Sequence, residues 1–264
     1  MAFRPMSFAC GWPLQSTKSA LCMVQNRGLE IRREGATPTE GGMTLYLKAA
    51  ADGTLVGDCP FAHFVRLVLE EKGLQYELKP CTEDTKPAWL TEYYEGKLPA
   101  LRHRKECYVE SDVIADYLDF FFPDPSLKGG KKEMDEAEDA ISGFFPSVAK
   151  YLKHIPDGDD EDQEMKCSLE SVLLRLEEHL QLENRTGPYL VGNGEKLTLL
   201  DCSLSPKLYH LRTGIEAFKD NAIDLAQKFP AVNEYLDSML KRESFQKTVY
   251  DKDVIIWGWS NTRK

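Results

Sequence analysis

Cys59 stands in the run Gly57-Asp-Cys-Pro-Phe61. This order predicts a strand end, a Gly-Asp turn and then a helix with Pro60 at its first position, where a missing N–H costs nothing. A thiol there meets the free N–H groups and the positive end of the helix, both of which favour a thiolate. The Asp58 charge opposes that effect unless the carboxylate faces away or handles a proton. A thiolate is both nucleophile and leaving group in disulfide exchange. Residue 62 is Ala rather than Cys, so the second thiol of any exchange has to come from another molecule. The total of seven cysteines is odd and no pair has C-x-x-C spacing, which predicts reduced thiols and neither a disulfide framework nor a zinc-type cluster. Cys81, Cys107, Cys167 and Cys202 read as small buried apolar residues.

Two further motifs suit a small peptide thiol such as glutathione. In Lys97-Leu98-Pro99, a proline ahead of a strand is a place for a cis peptide that turns the Leu98 backbone outward, toward an extended peptide. Glu110-Ser111-Asp112 opens a predicted helix and offers a carboxylate, a hydroxyl and free N–H groups to the α-amine and α-carboxylate of a γ-glutamyl group. Taken alone, an ordinary N-cap accounts for that motif equally well.

The elements that must position these groups fall into two unlike halves. From Met43 to Phe122 strands and helices alternate: strands at Thr44–Lys48 and Gln75–Lys79, and a helix with Phe61, Phe64, Val65, Val68 and Leu69 on one face, closed by Gly73. A hairpin, Ala100–Arg104 with Cys107–Glu110, leads to a helix from Asp112 to Phe120 capped by Ser111. The order β-α-β-(α)-β-β-α predicts a small thioredoxin-like α/β domain over residues 43–122. A Pro- and Gly-rich linker at 123–131 then precedes an all-helical domain over 132–264, with stripes at Ala137–Leu152, Met165–Leu182, Leu199–Phe218 and Ala231–Leu240. The acidic run within residues 157–162 reads as a solvated loop.

Residues 1–42 differ from the rest. Up to Arg27 they hold three basic residues and no acidic one, with serine and threonine interspersed, the composition of an organelle transit peptide or of a disordered extension with no address. From Met43 onward the charges are 28 basic and 40 acidic, a net −12. An acidic body argues against a nucleic-acid partner, and no apolar run is long enough for a stable membrane span.

Together these motifs resemble the glutathione transferase superfamily and, within it, the plant-type glutathione-dependent dehydroascorbate reductases. The likeness rests on Gly57–Phe61, Leu67–Lys72, Lys86–Trp89, Glu95–Pro99, Glu110–Ile114, Thr198–Leu211, Arg242–Phe245 and the terminal Ile256-Trp-Gly-Trp259. It implies the glutathione transferase fold and a monomeric antioxidant oxidoreductase that recycles ascorbate. Glutathione would be the co-substrate, with no metal. Cys59 would be the catalytic nucleophile, passing through a sulfenic-acid-like or adduct state before a mixed disulfide, with Asp58 beside it. Lys48, His210 and Trp259 would line the dehydroascorbate/ascorbate site, and Lys86, Leu98, Pro99, Glu110 and Ser111 would hold glutathione. The leader would send the protein to the chloroplast, with mitochondrion or cytosol as alternatives. Without the resemblance, His210 reads as a surface or satisfied core histidine and Trp259 as packing.

One departure stands out: where the family usually has Ser-Gln-Arg after Cys-Pro-Phe, this chain has Ala62-His63-Phe64. His63, within the first turn, is expected to face solvent, with assistance to proton transfer as the alternative. Two other readings share Cys-Pro-Phe: an omega-type thiol transferase that deglutathionylates proteins, and a membrane-inserting protein like the chloride intracellular channels.

Overall fold

The computed structural model describes residues 42–157 and 160–263. Apart from Gly42, the leader over residues 1–42 lies outside them. Met43–Lys48 forms β1, burying Met43, Leu45 and Leu47 on one face as its alternation predicts. The chain continues through α1 (Pro60–Glu71), β2 (Tyr76–Cys81), α2 (Ala88–Tyr94), β3 (Ala100–His103), β4 (Glu106–Val109) and α3 (Ser111–Phe121). Sheet order is β2-β1-β3-β4; β2 runs parallel to β1, while β3 and β4 are antiparallel to their neighbours. Leu45 pairs with Leu78 on one side and Leu101 on the other, which centres the sheet on an apolar row. This is the thioredoxin-like arrangement expected for 43–122. The cap of α3 is Glu110 rather than Ser111, which is already the first helical residue.

The second half is helical: α4 (Lys131–Ile141), α5 (Phe144–Lys153), α6 (Glu161–Leu180), α7 (Leu199–Phe218), α8 (Leu225–Lys228), α9 (Pro230–Leu240), α10 (Glu243–Thr248) and α11 (Lys252–Ser260). The stripe expected as one helix over Ala137–Leu152 is two, α4 and α5. Gly143 between them has a φ of 75°, a left-handed turn that ends one helix and starts another at no steric cost. The acidic run is not wholly a solvated loop. Glu161 and Asp162 form the first turn of α6, where negative charge suits the helix's positive end, and Asp162 binds the buried Lys219. The short helices α10 and α11 have too few residues for a clear stripe in the sequence.

Periodicity also underestimates α1. Its expected stripe covers one face, yet Pro60 and everything from Ala62 to Leu69 is buried, and only Phe61 at the first turn is exposed. The helix lies between the sheet-side core and α7, so it is an interior element with two packed faces. Its polar residues reach the end of α10: Arg66 Nη1 donates to the Thr248 carbonyl at 2.8 Å, and His63 Nε2 lies 3.0 Å from Thr248 Oγ1.

The linker is fastened rather than loose. The buried Lys72 ammonium donates to Asp119 Oδ1, Phe122 O and Pro125 O, each at 2.8 Å. Asp119 in turn accepts the Leu127 N–H at 2.7 Å, and the Leu127 carbonyl accepts from Leu199 N at the start of α7. The described residues therefore form one compact unit.

Candidate active site

Cys59 is the N-cap of α1, with extended backbone angles that the following Pro60 favours. Its thiol is half-buried. Burial pushes that thiol above the ordinary value; the Ala62 and Phe61 amides pull it down, the Asp58 charge raises it and the Lys48 charge lowers it. The helix N-terminus and Asp58 thus act in the directions expected of them, but desolvation outweighs the helix and corrects the expectation of a thiol poised as a thiolate.

Asp58 is paired. Lys48 Nζ, at the end of β1, reaches its Oδ1 at 2.6 Å. Gly57 makes this approach possible: a Cβ there would sit 2.5 Å from the Ala49 carbonyl and 2.7 Å from that of Lys48, while the Gly57 N–H donates to the Lys48 carbonyl at 2.7 Å. On its other side the Asp58 carboxylate packs onto Gly258 of α11, where a Cβ would lie 1.8 Å from Oδ2.

Three elements from the helical half close round this corner. Gly258 brings Trp259, and His210 of α7 lies edge-on to the Trp259 ring at 6.1 Å. Both are buried, and His210 Nδ1, His210 Nε2 and Trp259 Nε1 have no hydrogen-bond partner among the described residues. Tyr250, between α10 and α11, donates its hydroxyl to the Cys59 carbonyl at 3.2 Å and takes a bond from the Tyr209 hydroxyl on its own carbonyl, also at 3.2 Å. The structure thus brings Lys48, Asp58, His210 and Trp259 to the Cys59 corner. The sequence reading overlooked Tyr250, whose bond is to a main-chain atom and leaves no motif. It also misplaced His63. Instead of facing solvent, this residue is fully buried, with its ring 4.8 Å from both the Phe245 and Tyr250 rings, because the face of α1 that carries it packs on the helical half.

Burial carries the His210 pKa down to about 3, with Lys48 acting in the same direction. In the unfolded chain a histidine titrates near 6.5. Between these values the unfolded state binds a proton that the native state refuses. The stability this residue contributes is therefore complete above pH 6.5 and lost as pH falls toward 3. Urea unfolding at pH 7 and pH 4.5 is expected to show His210→Ala losing about 2–3 kcal/mol less than the parent over that interval. Equal losses in the two proteins would contradict a buried neutral imidazole.

The residues expected to hold glutathione form a second group. The Leu98–Pro99 peptide is cis. Lys86 pairs with Glu83 at 2.8 Å and reaches the Gly96 turn, where a Cβ would meet its Nζ at 3.4 Å. Glu110 has a φ of 69°, a left-handed backbone that a side chain of this kind adopts at a cost, and Ser111 beside it is buried. Lys97, overlooked in the sequence, ion-pairs with Glu110 at 2.9 Å and so ties the Leu98 segment to the start of α3.

Of the other cysteines, Cys81 and Cys202 are buried as expected, while Cys107 is only half-buried and Cys167 is exposed because it lies on the outward face of α6. Among the described residues no group of three or more His, Cys, Asp or Glu could hold a metal ion, and no helix is long and apolar enough to cross a membrane.

Residues 56–126 match the family described as glutathione S-transferase, N-terminal domain. The chain is 33% identical over 208 residues to the Arabidopsis thaliana protein named glutathione S-transferase DHAR2, covering 78% of this chain and 91% of that relative. The chain belongs to the glutathione S-transferase family. Among solved structures, this transferase superposes on the dehydroascorbate reductase of Chlamydomonas reinhardtii with a TM-score of 0.71 at 30% identity, covering 85% of this chain and all of the other. The human chloride intracellular channel protein 3 is more distant, 27% identical over 223 residues and covering 79% of this chain and 92% of that one.

Proposed function

We propose that this transferase reduces dehydroascorbate to ascorbate with two glutathiones, Cys59 being the nucleophile. The supporting observation is the buried set of His210 Nδ1, His210 Nε2 and Trp259 Nε1, polar atoms without partners at the same corner as a half-buried thiol. Buried polar groups are ordinarily hydrogen-bonded. Three orphans at a thiol fit a small ligand rich in hydroxyl and carbonyl oxygens better than an apolar one.

Cys59 Sγ adds to a carbonyl carbon of dehydroascorbate, and the carbonyl oxygen takes up a proton. A first glutathione thiolate then attacks Sγ. The carbon–sulfur bond breaks with its electron pair passing to the ascorbate enediolate, and a mixed disulfide forms at Cys59. A second glutathione attacks the glutathione sulfur of that disulfide, releasing glutathione disulfide and restoring the Cys59 thiolate. Two thiols lose two electrons and two protons, and dehydroascorbate gains both. The Lys48 ammonium suits the anionic product. Lys86 would take a glutathione carboxylate, the Leu98 backbone would pair with the tripeptide, and Glu110 with Ser111 and the α3 N-terminus would hold the γ-glutamyl end. We read the protein as a monomer, and residues 1–42 as an organelle address, supported by their acid-poor composition; the destination of a reporter fused to that segment checks the second point.

The deciding experiment follows glutathione-dependent reduction of dehydroascorbate beside a glutathionylated peptide, for the chain starting at Met43. His210→Ala is expected to lower kcat/KM for dehydroascorbate by 10- to 100-fold, the range of one lost polar transition-state contact at about 1.5–3 kcal/mol, and to leave the peptide reaction nearly unchanged. Activity on the peptide alone, indifferent to His210, would establish a thiol transferase instead.

A further inference from the structure

Lys48 carries a charge that favours the Cys59 thiolate, yet while its partner Asp58 is only 13% exposed its own side chain is 44% exposed, and an ammonium so open to solvent is ordinarily mobile. Two features of α11 act against that mobility. The Lys48 ammonium lies 5.3 Å from the centre of the Trp257 ring, within the range of a cation–π contact, and Trp is the strongest partner for one. One residue on, Gly258 provides the bare main chain against which the Asp58 carboxylate packs. Adjacent residues of one helix thus grip both members of the pair, one from each side.

We infer that Trp257 is a positioning residue for the reactive thiol: its ring holds the Lys48 ammonium beside Asp58, and α11 thereby fixes the charge environment of Cys59. The inference rests on the reading of Cys59 as the nucleophile, but it concerns the thiol itself and not any one oxidant. Removing the ring frees Lys48 to move into solvent, while Asp58, held at Gly258, stays beside the sulfur. The other groups around the pair remain as they were: Tyr250 on the Cys59 carbonyl, with Arg66 over the Tyr250 ring at 5.5 Å, and His210 of α7, which lies in the field of Lys48 and is neutral through burial. Lys48 lowers the Cys59 pKa and Asp58 raises it, so losing the first alone makes the thiolate scarcer.

The test is alkylation of Cys59 by iodoacetamide in the full chain from pH 5 to 10, read on the Cys59 peptide by mass spectrometry, with no dehydroascorbate present. For Trp257→Leu the rate at pH 7 is expected to fall roughly threefold and the profile to move to higher pH, while Trp257→Phe restores most of the rate. In a Lys48→Met background Trp257→Leu is expected to have no further effect, since its route is gone. Far-UV circular dichroism confirms that each variant is folded. A Trp257→Leu profile identical to the parent's, or a full Trp257→Leu effect persisting without Lys48, would overturn the inference. A shifted profile in a protein that fails to reduce dehydroascorbate would leave the inference standing and remove the reductase reading.

Discussion

Cys59→Ser is expected to abolish glutathione-dependent turnover, lowering kcat by about three orders of magnitude or more, with the fold unchanged. A hydroxyl at this position stays protonated at neutral pH, forms no disulfide and is a poor leaving group, so both the attack and the release step are lost. The structure explains why the damage stays chemical. Cys59 holds its place through its main chain: its carbonyl accepts the His63 N–H at 3.0 Å and the Tyr250 hydroxyl at 3.2 Å, and neither bond involves sulfur. The side chain is only half-buried, so stability is expected to change by no more than about 1 kcal/mol. Steady-state assay and urea unfolding of the same preparation check both halves of the statement. Retained turnover would move the nucleophile elsewhere.

Asp201→Ala is expected to do the reverse, leaving the chemistry's residues in place and removing the protein's stability. The Asp201 carboxylate is fully buried at the start of α7 and accepts from Leu190 N at 2.7 Å, Thr198 N at 2.8 Å, Thr198 Oγ1 at 2.9 Å and Tyr235 OH at 3.2 Å. Burial raises its pKa, and these donors offset part of that. Alanine would strand the Leu190 and Thr198 N–H groups in the core, and each unsatisfied donor costs about 1–3 kcal/mol. A loss of roughly 3–5 kcal/mol in urea unfolding follows. Asp201→Asn keeps one acceptor oxygen and should fall between. A loss below about 1 kcal/mol for the alanine variant would mean that the carboxylate is not the cap its geometry indicates.

Most of the fold was legible because its signals are local. Alternation at Thr44–Lys48, the Pro60 start, the hairpin of Ala100–Arg104 with Cys107–Glu110 and the Thr198–Asp201 capping box each lie within a few residues, and each forms within a residue of where expected. What escaped depends on residues far apart. The stripe of α1 shows only one packing face; the face that carries His63 is covered only by α10, 185 positions further on at Thr248. Lys72 lies in the quoted run Leu67–Lys72, but nothing local says that its ammonium gathers Asp119, Phe122 and Pro125. Gly258 did leave a mark, the smallest residue between two of the largest, and such a pattern signals close approach by another group. The carboxylate that approaches is 200 residues away in sequence.

The helix that Cys59 caps is buried along most of its length, and only Phe61 in its first turn is exposed. With α3 of the first half and α7 and α10 of the second packed against it, and its own C-terminal end bound to the linker through Lys72, α1 belongs to both halves of the chain. The two halves therefore cannot behave as separable modules. Peeling either away uncovers residues of α1 that are buried in the fold, so the halves are expected to open together. For the thiol this means kinetic shelter. Amide exchange along the buried middle of α1 is expected to be slow, because its packing opens only when both halves move apart.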